Sequence, residues 1–417
     1  MASPLQGIRV VDLGMWYVAP EAAALLGDMG AEVIHLEQPG KGDQSRGTRG
    51  IMGISAVLPV GSSINFFDHN RNKKSITIDL TKADGREIAY RLIRKSDVLI
   101  TNFRHRAVVK LGMDYETLSG INPRLVYGFS SAFGEKGPDA GAPAFALAAA
   151  ARSGLMMSCS GGGETPCFTG IGIGDAAGAL VLAMGVAVAL VERERSGIGQ
   201  EVIVSQLMSL MQLQRPEIAA KLLSGHELPR FDRKKQGNPY NSFYKCKGGR
   251  WIALAIMRYT EWSTFCKAIG HPDIENNPQF TYWMRRRFGD SSAAEEKDVE
   301  EKYMRETIIF LEELFASRTL DEWLQVFRDA DIIAAPVNSV SDLMDDPQVI
   351  ANEYITDWEH PSFGKIKFIG APFRLSRTPP DLRYDASELG QHTEEVLTEI
   401  CGYSWEEVGS FRERGLL

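Results

Sequence analysis

Short β-branched runs alternate with alanine- and leucine-rich stretches near the start of this chain, and no other feature limits the fold as tightly. Gly7-Ile-Arg-Val-Val-Asp-Leu-Gly14 predicts a strand and Pro20–Met29 a helix. Gly30-Ala-Glu-Val-Ile-His-Leu-Glu37 predicts a second strand, closed by the turn Gln38-Pro-Gly-Lys-Gly-Asp43. The strand signal recurs at Lys74–Leu80, Asp97–Asn102 and Arg124–Ser130, with a helix over Thr81–Arg94. Strand–helix–strand units of this length imply parallel strands joined by right-handed crossovers. The expected fold is α/β, with a Rossmann-like large domain whose ligands lie beyond the strand C-termini. The first turn, Leu13-Gly-Met-Trp-Tyr-Val-Ala-Pro20, lacks the glycines that seat a pyrophosphate on a helix. No NAD site is expected there, although Glu37 ends the second strand.

A second feature lies further along. In Phe168-Thr-Gly-Ile-Gly-Ile-Gly-Asp175, glycines alternate up to an aspartate, and a long apolar run follows to Leu190. An acidic residue at such a junction predicts a helix N-cap, its carboxylate facing backbone N–H groups and the positive helix end. Two readings of Asp175 stand side by side: the cap of a buried helix, or a carboxylate displayed for chemistry where Gly170, Gly172 and Gly174 let a ligand approach.

Around it, Ala144–Met157 reads as a helix, Gly199–Ser205 as a strand and Leu207–Leu223 as a helix. The polar, basic stretch Ser224–Pro239 reads as a linker. Tyr244–Ala255 reads as a hairpin turning at Gly248-Gly249. Helices are expected over Thr260–Ile269, Glu300–Ser317 and Leu320–Ala330, and a strand over Ile332–Val337. The domain boundaries expected are 1–225 for the large domain, 226–330 for a smaller α+β domain, and 331–417 for a return segment completing the first.

The net charge, 46 − 54 = −8, argues against nucleic acid as a partner. The basic clusters Arg230/Arg233/Lys234/Lys235 and Arg285-Arg286-Arg287, and the charged run Glu295–Lys302, read as solvated faces. Five cysteines at wide spacings suggest neither zinc nor a disulfide framework. The N-terminus carries no basic patch or apolar signal core, and the apolar stretch Ala176–Leu190 is shorter than a bilayer span. A cytoplasmic chain with no membrane partner is expected. P-loop, HExxH and GxSxG patterns are missing, and the seven histidines show no triad or metal spacing. The lone GxGxxA match at Gly172–Ala177 has no strand before it.

Together, several ordered stretches resemble the class III CoA-transferases, the CaiB/BaiF family. They are Leu5-x-Gly-Ile-Arg-Val-Val-Asp-Leu13, Ala19-Pro20, Leu26-x-x-x-Gly-Ala-Glu-Val-Ile-x-x-Glu37 and Gly42-Asp43. Asn72-Lys-Lys-Ser-Ile-x-Ile-Asp-Leu80, Asp97-Val-Leu-Ile-x-Asn-Phe103, Asn122-Pro-Arg-Leu-Val126 and Phe133-Gly-x-x-Gly-Pro138 continue the series. Gly174-Asp175, Ser196-Gly-x-Gly-Gln200 and Gly390-x-His-Thr-x-Glu-Val-Leu397 complete it.

The resemblance implies that Asp175 is a nucleophile forming mixed-anhydride and aspartyl-CoA thioester intermediates. It implies coenzyme A or acyl-CoA as substrate with no tightly bound cofactor and no metal, a small carboxylic acid as partner, and an interlocked homodimer. It carries CoA contacts over to Tyr17, Val18, Gln38, Ile78, Asn102, Phe103, Ala107 and Lys110. The loops Gly161-Gly-Gly163 and Gly248-Gly249 match as candidate covers. Lys110 and Gln38 stand where formyl-CoA transferases carry arginine, and Tyr17 where they carry glutamine. Asn102–Leu118 and Gly134–Asp139 resemble the branch acting on 2-hydroxyacids such as phenyllactate and 2-hydroxyisocaproate, with Ala144-Phe-Ala146 departing from its usual Gly-Phe-Asp. The alternatives are an α-methylacyl-CoA racemase-like enzyme, which needs a histidine that Pro143–Arg152 lacks, and a non-catalytic CoA-binding protein in which Asp175 is only a cap.

Overall fold

The computed structural model describes residues 3–58, 62–170, 172–234, 238–287, 297–360 and 364–417. Lys235, the side chains of Arg286 and Arg287, and Glu295 and Glu296 of the charged run lie outside the described residues. The chain divides into two compact units. The first takes Met1–Leu155, Thr169–Ala219 and Tyr354–Leu417; the second takes Met156–Phe168 and Ala220–Glu353.

The first unit is built on a six-stranded parallel sheet. Its strands are β1 (Arg9–Leu13), β2 (Glu32–Glu37), β3 (Lys73–Thr77), β4 (Val98–Thr101), β5 (Val126–Ser131) and β6 (Glu201–Ser205). Their spatial order is β3-β2-β1-β4-β5-β6. The order reverses between β1 and β4, which opens a crevice at their C-terminal ends. Side chains alternate across the sheet with period two. Val10, Val33, Val98, Ile100 and Val126 face one layer, with α1 (Val18–Asp28) and the long helix described below. Val11, Ile34, Leu99 and Tyr127 face the other, with Ile88, Ala89 and Leu92 from the helix Ala83–Ile93. Val408 and Leu416, near the chain end, join this second layer, and Asp79 donates its N–H to the Leu416 carbonyl at 2.8 Å. Each aliphatic side chain so covered contributes roughly 1.5–3 kcal/mol.

The remaining helices that matter for the site are α2 (Ile64–His69), α3 (His105–Leu111), α4 (Ala146–Ser153), α5 (Ile173–Ser196) and α6 (Gln206–Leu213). With 24 residues of high mean hydropathy, α5 is long and apolar enough to cross a membrane, contrary to the sequence expectation that its apolar stretch falls short. One face instead buries Ala179, Leu182, Val186, Ala189 and Leu190 in the core against the sheet.

The second unit holds a three-stranded antiparallel sheet, Asn241–Lys245, Trp251–Ala255 and Ile333–Pro336, covered by helices. Its core is aromatic: Tyr240, Tyr244, Trp262, Phe265, Phe315, Trp323 and Phe327. This unit runs past the expected boundary at residue 330, because Ile333–Pro336 pairs with Trp251–Ala255 as the third strand.

Candidate active site

The parallel sheet gathers the expected site residues at one edge. Tyr17 follows β1, Gln38 follows β2, Ile78 follows β3, and Asn102 with Phe103 follows β4. A cleft of about 100 Å³ lies there, and Gln38, Ile78 and Phe103 are part of its lining. Leu111 from α3 lines it too. On the same helix Lys110 is exposed and Ala107 half-buried. Asn102 braces the loop after β1: its amide accepts from the Met15 N–H (3.0 Å) and donates to the Met15 carbonyl (2.8 Å). Val18 is buried, and its methyl groups lie 3.5 and 3.8 Å from the place a Cβ would occupy at Gly178 of α5. Its side chain therefore belongs to the core.

The loop Gly14–Tyr17 is held from below as well. Trp16 adopts a left-handed backbone conformation (φ 68°), and its N–H donates to the Asp43 carboxylate at 3.1 and 3.2 Å. Such a conformation costs a non-glycine residue about 1–2 kcal/mol, so the Asp43 contact fixes a strained loop. Glu37 accepts from Asp43 N–H, from Arg46 at both oxygens and from Ser75. Those partners use the carboxylate that a dinucleotide fold would offer to a ribose.

Asp175 is not the N-cap. That position is Gly172 (φ 70°), and Asp175 is the third residue of α5. Its carboxylate is received by a side chain from another helix: Gln206 Nε2 donates to Oδ1 at 2.6 Å. The other oxygen, Oδ2, accepts no hydrogen bond among the described residues and lies 3.8 Å from the place a Cβ would occupy at Gly172. That same place is 2.7 Å from Tyr17 Cε1, so only glycine allows Tyr17 to lie this close to the carboxylate. Burial pushes the Asp175 carboxyl up to about 6, against the lowering effects of His69 and of the Gln206 hydrogen bond. The position near a helix start favours the anion, but burial opposes it and is the largest effect on the carboxyl.

Behind Tyr17 lies His69. The two rings stack with centroids 3.7 Å apart and planes 17° apart. The Tyr17 phenol is itself raised, first by burial and then by the anions Glu21, Asp68 and Asp175. Trp16 meets Phe145 edge-to-face at 6.2 Å, and the Ala146 carbonyl lies 3.4 Å from the Cβ place at Gly174. An aromatic wall of Trp16, Tyr17 and Phe145 thus adjoins the start of α5.

Sequence reasoning did not single out Gln206, Glu21 or His69. Gln206 had a usable signal, since it follows the C-terminal end of a parallel strand. His69 had none, because only the packing of α2 on α1 brings it to Tyr17. The glycine loop at 161–163 is tied within the second unit: Arg230 donates to the Gly163 carbonyl (2.7 Å), and Asp232 packs against Gly162. Arg233 pairs with Glu312 at 2.6 Å, so two cations of that basic cluster have structural partners. Among the described residues no group of histidine, cysteine, aspartate and glutamate is arranged to hold a metal.

Comparison with known proteins gives the family. Residues 5–393 match CoA-transferase family III. The chain belongs to that family. It is 31% identical to (R)-2-hydroxy-4-methylpentanoate CoA-transferase of Clostridioides difficile, over 98% of each chain. It is 30% identical to cinnamoyl-CoA:phenyllactate CoA-transferase of Clostridium sporogenes, over 96% of this chain and 94% of that one. Formyl-CoA:oxalate CoA-transferase of Rhodopseudomonas palustris is 28% identical, over 100% of this chain and 98% of that one. The crystal structure of a CAIB/BAIF family protein from Brucella suis superposes with a TM-score of 0.78 at 25% identity, covering 96% of this chain and all of that one. The protein is a family III CoA-transferase, an enzyme that uses CoA thioesters.

Proposed function

We propose that this CoA-transferase moves CoA from an acyl-CoA to a 2-hydroxy or aryl carboxylic acid, with Asp175 as the nucleophile. The observation that carries the reading is the carboxylate itself: one oxygen held by Gln206, the other unbonded beside Gly172. Asp175 Oδ2 attacks the thioester carbonyl, the C–S bond breaks, and CoA leaves as thiolate from a mixed anhydride. The thiolate attacks the aspartyl carbonyl, the donor acid departs as carboxylate, and an aspartyl-CoA thioester remains. The acceptor carboxylate attacks that thioester and expels the thiolate. The thiolate then takes the acceptor's acyl group and frees Asp175. Covalent intermediates conserve the thioester's energy and keep water out of the exchange. First-turn N–H groups of α5 have no intrahelical acceptor and are suited to the developing oxyanions.

In the cleft, Gln38, Ile78 and Phe103 would hold the nucleotide end of CoA, with Asn102 bracing the loop whose Tyr17 and Val18 backbone borders the acyl site. Ala107 and Lys110 on α3 would meet the phosphates. The aromatic wall supports a bulky acyl group, and two named relatives act on hydroxyacids larger than formate or oxalate. Leu180, Met184, Val188 and Val191, exposed along α5, support a dimer, read as interlocked from the family resemblance.

The test combines donors and acceptors. Aliphatic and aryl acyl-CoA donors are incubated with a panel of acids and followed by mass spectrometry, with hydroxylamine trapping. Exchange onto 2-hydroxy and aryl acids with label on Asp175 is expected, and Asp175→Asn should lose transfer by at least about 10³-fold while retaining CoA. Label on another residue would refute the nucleophile, and transfer confined to formate or oxalate would refute the substrate class. A racemase reading gains one observation, a histidine, His69, stacked on the Tyr17 ring that adjoins the start of α5. Solvent deuterium entering the α-carbon without acyl exchange would favour it.

A further inference from the structure

Gln206 opens α6 directly after β6, and its side chain runs back to α5. The Ser205 hydroxyl caps α6 by accepting from the Met208 N–H at 3.1 Å, which fixes the first turn from which Gln206 projects. Gly174 and Gly178, one turn apart on α5, leave the room that the side chain occupies. A Cβ at Gly174 would lie 3.4 Å from Gln206 Oε1, and one at Gly178 would lie 3.6 Å from its Cγ. The residue is buried, and its Nε2 donates to Asp175 Oδ1 at 2.6 Å. The amide must present its N–H here, since a carboxylate only accepts. Its own Oε1 is buried without a hydrogen-bond partner among the described residues. A buried acceptor left unpaired costs about 1–3 kcal/mol, so the amide is held on Asp175 against the interest of the fold.

We propose that Gln206 is a catalytic residue that stabilises the oxyanion formed on Asp175 itself, at the steps in which the aspartyl carbonyl is attacked. The inference rests on Asp175 being the nucleophile through Oδ2. In the mixed anhydride Oδ2 bridges to the acyl group, and Oδ1 is the carbonyl oxygen of Asp175. CoA thiolate attacks Cγ, an S–C bond forms, and the C=O electron pair moves onto Oδ1. The pair returns, the Cγ–Oδ2 bond breaks, and the donor acid leaves as a carboxylate carrying Oδ2. When the acceptor carboxylate attacks the thioester, its oxygen takes the bridging place and the pair moves onto Oδ1 again. The pair returns as the C–S bond breaks and the thiolate departs. Oδ1 stays bonded to Cγ throughout, beside the Nε2 that already donates to it. A donor fixed in advance where charge develops stabilises that charge without reorganisation. In the first attack the charge develops instead on the acyl oxygen of the donor, an atom that Gln206 does not hold. Gln206 therefore assists attacks on Asp175 and not the attack by Asp175.

Wild type, Gln206→Met and Gln206→Leu are mixed with an equimolar aryl acyl-CoA in the absence of acceptor, and samples are quenched in acid. Free CoA thiol, released donor acid and the mass added to the peptide bearing Asp175 are followed together. Wild type should release donor acid and carry CoA on Asp175. The variants keep an apolar side chain of similar size but no donor, and they should retain the acyl group on Asp175 with CoA free. CoA-adduct formation should slow by about 10²–10³-fold, the loss expected for one oxyanion donor, and acyl-adduct formation by less than about tenfold. CoA affinity should be unchanged. A wild-type rate of CoA-adduct formation, or equal slowing of both steps, overturns the proposal while label on Asp175 keeps the nucleophile. Loss of CoA binding by both variants would make Gln206 a residue of the fold alone and overturns it as well. Wild-type label on a different residue overturns both readings.

Discussion

At Asp175, folding and chemistry oppose each other. A carboxylate in water costs the fold nothing, whereas this one is desolvated and pushed up to about 6. Because its carboxyl pKa is raised in the fold, the native state binds the proton more tightly than the unfolded chain does. The associated stability is fully present below the ordinary aspartate range and is lost as pH rises through about 6. Asn mimics the protonated form. Asp175→Asn should therefore match wild type in Tm near pH 4 and exceed it at pH 8, by at most about 3 kcal/mol in unfolding free energy. A variant no more stable than wild type at pH 8 would show that the carboxylate is not desolvated. Such a gain together with lost transfer is the pattern expected of a residue kept for activity at the expense of stability.

At the scale of the element, α5 is set by its two ends. Gly172 caps its start and Gly197 its finish, each in the left-handed region (φ 70° and 77°). The start matters for function, since any Cβ at Gly172 meets the Tyr17 ring. Gly172→Ala should cost about 1–2 kcal/mol from the backbone alone, read as a lowered midpoint in urea. It should also displace Tyr17 and depress transfer more than CoA affinity. Transfer rates equal to wild type would mean that the Tyr17 position is irrelevant to the reaction. The small-residue run made α5 legible as a helix in the sequence. It did not reveal the cap one turn too early, because glycine caps a helix through its φ and leaves no side-chain oxygen to read.

At the scale of the whole molecule, the first unit leaves apolar surface open. Leu180, Met184, Val188 and Val191 follow one face of α5 and are between 48% and 64% exposed. Spaced by three and four residues, they form a stripe, and apolar surface of this kind marks an interaction site. A second copy of the chain is the occupant expected from the family resemblance. Light scattering should give a dimer. If the chains are interlocked, tagged and untagged dimers mixed at low concentration should not exchange subunits until unfolded. Exchange within hours would remove the interlocking, and a monomer would remove the dimer. The two-unit architecture was partly legible: the strands of the parallel sheet and the hairpin of the second unit stand where alternation and Gly248-Gly249 put them. The strand Ile333–Pro336 was also visible as a strand, but its partner was not, since pairing across about 80 residues leaves no local signal.

The sequence by itself determined the alternation of strand and helix, the ordered family motifs and the Gly174-Asp175 pair, because these rest on local propensity and on contiguous residues. Only the tertiary structure decided which side chains meet. Gln206 reaches Asp175 from 31 positions away, and Tyr17 stacks on His69 across the packing of α1 against α2. Burial raises the proton affinity of Asp175, an effect that no local stretch of sequence displays. Charge, distance and desolvation are properties of neighbours in space, and the chain assembles those neighbours only when the parallel strands bring their C-terminal ends to one edge.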